Sequence, residues 1–184
     1  VWSRNFLNLF ASPLSIVEYV TGLVTSSIAT SAIGLVVMIA LASGIFGLSF
    51  LSYGVLLFPF VLILFVFGIA IGVAASGIVL WLGPASEWFV WPIPALIAPF
   101  GGVFYPVETL PRWMQVIAHL LPPASVFESI RHIAAGEPVS MASLVWSGGL
   151  AVMYLLAATW FFARIHRHAV RVGLIARYSA ETLS

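Results

Sequence analysis

The chain has 184 residues, of which 62% are hydrophobic and only 7% charged, with a formal net charge of +1. That balance excludes an ordinary soluble domain, and no basic patch with interleaved aromatics marks a nucleic-acid partner. Lysine, aspartate and cysteine are absent, so no disulfide and no thiolate metal site can form.

The sequence opens on Val1 without a signal peptide, which fits a segment internal to a longer protein. Residues 1–14 form a short amphipathic element. Trp2, Phe6, Leu9 and Phe10 share one face at helical spacing, while Asn5, Asn8, Ser12 and Ser15 share the other, with Arg4 at its edge. Pro13 cannot continue this helix. Ser15 and Glu18 have the spacing of a capping box for the next one.

Residues 19–42 carry no charge. At 1.5 Å per residue they are about 36 Å long, enough to cross a bilayer with some tilt. Thr21, Thr25, Ser26, Thr30 and Ser31 dot this span and point to helix–helix packing before a polar path. Ser43, Gly44 and Gly47 predict a turn. A second span covers residues 54–82, with a kink expected at Pro59. Gly68, Gly72 and Gly77, with Ala70, Ala74, Ala75 and Ser76, give it a smooth face. Gly83-Pro84 ends it. Ser86 and Glu87 suit the start of a third span, residues 87–105, made irregular by Pro92, Pro94 and Pro99. Trp88, Phe89 and Trp91 read as an interfacial aromatic belt.

Residues 106–137 then carry most of the interior charge and read as two short helices. Thr109 is the predicted cap of the first, whose apolar stripe is Leu110, Trp113, Met114, Ile117 and Leu121. Pro122-Pro123 stops it. Ser125 and Glu128 have capping-box spacing for the second, and Gly136 ends it. Each is about ten residues, roughly 15 Å, too short for a hydrocarbon core of about 30 Å. A helical hairpin of this kind between two spans sits at the interface or re-enters from one side. Residues 141–163 form the last span, and residues 164–184 the tail. In that tail Arg164, Arg167 and Arg171 share a helical face, a stop-transfer signal that could also touch anionic lipid.

Four spans place both ends on one side. Arg4, Arg164, Arg167, Arg171 and Arg177 flank those ends, and only Arg112 and Arg131 lie opposite. The positive-inside rule therefore predicts cytoplasmic termini and an extracytoplasmic hairpin.

Two segments carry a family resemblance. Residues 102–118 read G-V-F-Y-P-V-x-x-L-P-x-W-x-Q-x-I-A, followed by Leu121-Pro122 and the E-x-x-R pair Glu128 and Arg131. Residues 4–14 read R-N-x-x-N-L-x-x-S-P-L. Both resemble the membrane subunit of type-2 ATP-binding-cassette (ABC) export systems. The resemblance implies an all-α integral membrane protein whose four spans are the third to sixth of a six-helix permease, in a prokaryotic plasma membrane. It implies an N-terminal coupling helix whose Arg4, Asn5, Asn8 and Ser12 meet a separate nucleotide-binding ATPase subunit. It also implies an outer hairpin gate with Pro106, Pro111, Trp113, Glu128 and Arg131, and a second permease copy, identical or related, across the path. The chain departs from the family where the long span re-enters the cytoplasm: Leu80-Trp81-Leu82-Gly83-Pro84 holds no basic residue.

No phosphate-cradling glycine motif is present. ATP and Mg would therefore be bound by the partner subunit, with no cofactor in this chain. His119 and His132 are spaced unlike metal ligands. A channel would need a polar ring along a span, and a membrane enzyme a titratable cluster at fixed depth. Neither pattern is present, so a membrane channel or scaffold protein, and behind it an integral-membrane enzyme, are the weaker rivals to an exporter of a lipid, polysaccharide or hydrophobic drug. The Glu128–Arg131 pair can be an exposed i,i+3 pair or a buried tie that holds the hairpin. Because the i,i+3 geometry survives reversal, exchanging the two charges is expected to restore function in part.

Overall fold

The computed structural model describes residues 16–47, 54–83 and 86–172. Every described regular element is helical. The chain divides into two compact units, Val1–Ser52 and Tyr53–Ser184. The Ser15–Glu18 capping box reaches outside the described residues.

In the first unit, α1 spans Ile16–Phe46. It does not bend at Ser43 and Gly44 as predicted. The helix runs through both and stops where Gly47 takes a φ of +64°, its N–H bonding the Ser43 carbonyl at 3.1 Å. A mid-helix glycine costs only about 1 kcal/mol, whereas the left-handed conformation at the end favours glycine strongly. Thr30 donates its hydroxyl back to the Ser26 carbonyl at 2.7 Å, so that polar group is satisfied within its own helix.

The second unit is built on α2, Leu57–Leu82, and a final helix whose start is fixed by Met141. Pro59 falls in the first turn of α2, where its missing N–H has no intrahelical acceptor to lose. The kink predicted there has no cause. Gly83 ends α2 at φ +96°, with its N–H on the Val79 carbonyl at 2.8 Å.

The third span, predicted to be irregular, is broken into short pieces. It forms α3, Glu87–Val90, then α4, Ile93–Ile97, then a 3-10 turn at Ala98–Phe100. The cause is the prolines: Pro92 caps α4, Pro94 lies in its first turn, and Pro99 lies in the 3-10 turn. Ser86 is buried, and its hydroxyl donates to the Gly83 carbonyl at 2.6 Å instead of accepting from α3. Trp88, Phe89 and Trp91 are exposed, as an interfacial belt requires.

Two short helices follow: α5, Arg112–His119, and α6, Pro122–Ala134. Finally α7 spans Met141–Val172, so the predicted tail arginines up to Arg171 continue the last helix. Among the described residues, three helices are long and apolar enough to cross a membrane, over Ile28–Ile45, Gly54–Leu82 and Met141–Ala169.

The core joins α2 to α7. Phe67 meets Tyr154 edge-on at 5.4 Å between ring centres. Toward one end, Ile63 bounds the space beside Gly148; toward the other, Phe161 lies against Gly77. Numbers rise together along both helices, so α2 and α7 run parallel. A chain leaving α2 at Gly83 must therefore return along their length before α7 begins. Residues 87–100 make that return: α3 adjoins α2, while Ile97 and Phe100 pack on the cluster of Phe60, Ile63, Leu121 and Val126 at the far end.

The small residues of α2 are divided between two environments. Ala70, Ala75 and Gly77 are buried, whereas Gly68 and Gly72 are exposed. The smooth face predicted for close contact is thus two faces, only one of them packed on α7.

Candidate functional site

The predicted gate residues lie at the end of the α2–α7 pair where α5 and α6 begin. After the 3-10 turn the chain reverses at Gly102, which has a φ of +65°. A side chain there would be strained and would meet Val107 Cγ2 at 3.2 Å. Pro106 is extended and leads into a 3-10 turn, Val107–Thr109. Tyr105 donates its hydroxyl to the Pro99 carbonyl at 2.8 Å. Thr109 does not cap α5: its hydroxyl donates to the Pro106 carbonyl at 2.7 Å, and α5 starts three residues beyond it, at Arg112 behind Pro111. Gln115, one turn into α5, reaches back with Nε2 to the carbonyls of Leu110 at 2.7 Å and Glu108 at 3.1 Å. Beneath the turn, Val107, Ala118 and Ala124 form a small buried cluster with Leu110 against it.

The stripe predicted on α5 is only partly inward. Leu121, just beyond the helix, is buried and Met114 half-buried, but Trp113 is 63% exposed and Ile117 is also exposed. Ala118 is the residue that packs.

The second helix begins at Pro122, with proline in its first turn and Leu121 at the cap. Ser125 and Glu128 are therefore interior residues and form no capping box. This frees the Glu128 carboxylate for other work. Its Oε1 accepts the Val107 N–H at 2.7 Å and Arg131 Nη1 at 2.9 Å. Arg131 Nη2 in turn donates to the carbonyls of Gly102 and of Tyr105, the latter at 2.9 Å. The two side chains are 29% and 27% exposed for Arg131 and Glu128. The pair is thus neither a solvated surface pair nor an isolated buried one. It is a clamp in which one helical turn of α6 holds three backbone groups of the 102–107 loop. Guanidinium suits this because its planar fork can serve a carboxylate and two carbonyls at once.

The end of α6 is equally defined. Gly136 has a φ of +77°, its N–H bonds the Ile133 carbonyl at 3.0 Å, and the Glu137 N–H bonds the His132 carbonyl at 2.8 Å. This is a Schellman motif, as the glycine predicts. His132 Nδ1 lies 2.5 Å from Glu137 Oε2 across it. His119 takes part through its backbone: its carbonyl lies 3.4 Å from Trp146 Nε1 of α7. Among the described residues no three His or Glu side chains gather as metal ligands.

Of the predicted site residues, the structure brings Glu128 and Arg131 onto the Pro106 turn. Pro111 caps α5, and Trp113 faces outward. Arg4, Asn5, Asn8 and Ser12 lie outside the described residues. Gly102, Tyr105, Val107 and Gln115 belong to the motif that carries the resemblance but were not among the predicted gate residues. The signal for Gly102 was present: a glycine pair just before an extended, proline-closed stretch predicts a left-handed reversal.

Long apolar helices, hydroxyls that bond back within their own helices, and a proline-broken apolar return define a helical membrane protein. A family model described as ABC-2 type transporter matches residues 2–134. The chain belongs to the ABC-2 type transporter family, a membrane transport component distinct from the ATPase. Both sequence segments that carry the resemblance lie inside the matched region, and all of α7 lies beyond it. No curated protein and no solved structure matches.

Proposed function

We propose that this chain is the transmembrane subunit of an ATP-driven exporter, energised by a separate nucleotide-binding subunit and paired with a second permease copy. The observation that carries the reading is the family match over both motif segments. The clamp supports a role for the second segment as a rigid block at the exit. Residues 102–110 are tied at nearly every turn to α5 or α6, so the loop and the helix pair would move as one body over the path.

Four crossings with cytoplasmic ends fit the parallel packing of α2 and α7, because two parallel helices need a crossing between them. Residues 87–105 would supply it in irregular form, tolerated where protein or a wet cavity satisfies the freed backbone. Charge agrees in direction. The far end of α7 carries Arg164, Arg167 and Arg171, while the clamp end mixes Glu108, Glu128 and Glu137 with Arg112 and Arg131. With no native cysteine, single cysteines report cleanly. A cysteine replacing Glu137 reacts with an impermeant maleimide added outside intact cells, and one replacing Arg171 reacts only after permeabilisation. The reverse pattern rejects the orientation and with it the proposed path.

Coupling falls to residues 1–14, whose polar face would meet the ATPase. Arg4→Ala with Asn8→Ala lowers transport and transport-stimulated ATP hydrolysis several-fold while membrane insertion is unchanged. Wild-type turnover together with wild-type co-purification of the ATPase would reduce the element to an interfacial anchor. An apolar lining does not choose among lipid, polysaccharide and hydrophobic drug as cargo.

A further inference from the structure

We infer that the outer face of α7 binds anionic phospholipid, with headgroup phosphate on a three-arginine stripe and acyl chains along the apolar face next to it. Arg164, Arg167 and Arg171 recur at helical spacing behind Trp160, and all are exposed. The buried residues Ala158 and Ala169 lie half a turn away, so the stripe faces away from the α2–α7 core. The helix contains no acidic residue, and the ion pairs among the described residues lie elsewhere, at Glu128–Arg131 and His132–Glu137. Arg164 instead lies over the Trp160 ring at 5.8 Å, and Arg167 Nε donates to the Ala163 carbonyl at 3.2 Å. Three guanidinium groups on one face thus have no anionic partner among the described residues.

The apolar part of the same face decides which anion. Leu156 and Trp160 are 65% and 63% exposed directly below Arg164. From Met141 to Arg164 the helix rises about 35 Å, enough for a hydrocarbon core of about 30 Å, so Trp160 falls at the glycerol level and the arginines among the phosphates. Acyl-facing, amphipathic and cationic groups follow one another along one line. A free phosphate or an acidic protein surface would use only the last of them. The inference holds in whichever leaflet this end lies, so it does not rest on the proposed orientation.

The test uses the full chain purified in neutral detergent and titrated with phosphatidylglycerol or phosphatidylcholine, with bound lipid counted by native mass spectrometry. Phosphatidylglycerol binds in preference. Changing all three arginines to Gln weakens it by on the order of 100-fold, because each cation near an anionic headgroup contributes about fivefold. The triple Lys variant retains most of the preference, which separates loss of charge from loss of fold. Trp160→Ala weakens binding, and glycerol phosphate without acyl chains does not compete. Equal binding of both lipids, an unaffected Gln variant, or full competition by glycerol phosphate would each overturn the inference. So would arginine-dependent capture of the ATPase subunit without lipid preference, which would make the stripe a protein-docking surface.

Discussion

Arg131→Gln loosens the 102–107 loop and lowers export at equal expression, and exchanging the two charges does not repair it. Arg131 makes charge-assisted bonds to Glu128 and to the carbonyls of Gly102 and Tyr105. Glutamine can replace at most part of this set. Bonds to charged groups are worth roughly 1.5–3 kcal/mol each. Since both side chains are more than a quarter exposed, water recovers part of the loss, and the net cost is about 2–3 kcal/mol. Glu128→Gln is milder, about 1–2 kcal/mol, because the amide oxygen still accepts the Val107 N–H. The exchange Glu128→Arg with Arg131→Glu restores opposite charges, but the wrong groups then face the loop. An arginine cannot accept from Val107, and a glutamate cannot donate to two carbonyls. Amide hydrogen exchange of the peptide over residues 101–110 reads the clamp directly. Arg131→Gln raises exchange there by roughly 30- to 150-fold, following the free-energy loss. Export falls in the same order: exchanged pair, Arg131→Gln, Glu128→Gln. An exchanged pair that exports better than either single variant would mean that charge alone matters and that the backbone contacts are incidental.

The helices were largely legible in the sequence, and their ends less so. Apolar length found α1, α2 and α7, because burying or immersing some twenty apolar residues leaves few alternatives. The tail arginines, read as sharing a helical face, lie on the continuation of α7 to Val172. An arginine ends an apolar span but does not end a helix, and Arg is a good helix former. The misread caps share one cause. Ser125 with Glu128 and Thr109 before Leu110 have capping spacing, but prolines take the helix starts, Pro122 in the first turn of α6 and Pro111 at the cap of α5, each with φ already set. Once Glu128 is not a cap, its partner is decided by distance along the chain: Val107 is twenty-one residues away. No local pattern encodes such a contact. The E-x-x-R spacing fixed the ion pair itself, since residues three apart share a helical face. What it could not reveal is that both members also grip a loop more than twenty residues upstream.

Gly77→Leu is the substitution in α2 expected to separate the two long helices. A Cβ at Gly77 would stand 3.0 Å from Phe161 Cε1 and 3.6 Å from the backbone of Phe162. The ring edge can yield by a few tenths of an ångström, so Gly77→Ala is tolerated with a small loss. Leucine adds three more carbons toward the backbone of α7, which cannot yield without moving the helix. Overpacking of this kind costs about 1–3 kcal/mol, and the α2–α7 contact that carries Phe67 and Tyr154 loosens with it. Gly68 and Gly72 provide the control within the same helix, since nothing lies within 4 Å of a Cβ at either position. Leucine at Gly68 or Gly72 leaves thermal unfolding of the purified protein unchanged, while leucine at Gly77 lowers the midpoint by several degrees. Phe161→Ala combined with Gly77→Leu costs less than the sum of the two single changes, because the ring that clashes has been removed; residues in contact couple in this way. Additive losses, or a larger loss at Gly72 than at Gly77, would overturn the parallel α2–α7 packing on which the return of residues 87–100 depends.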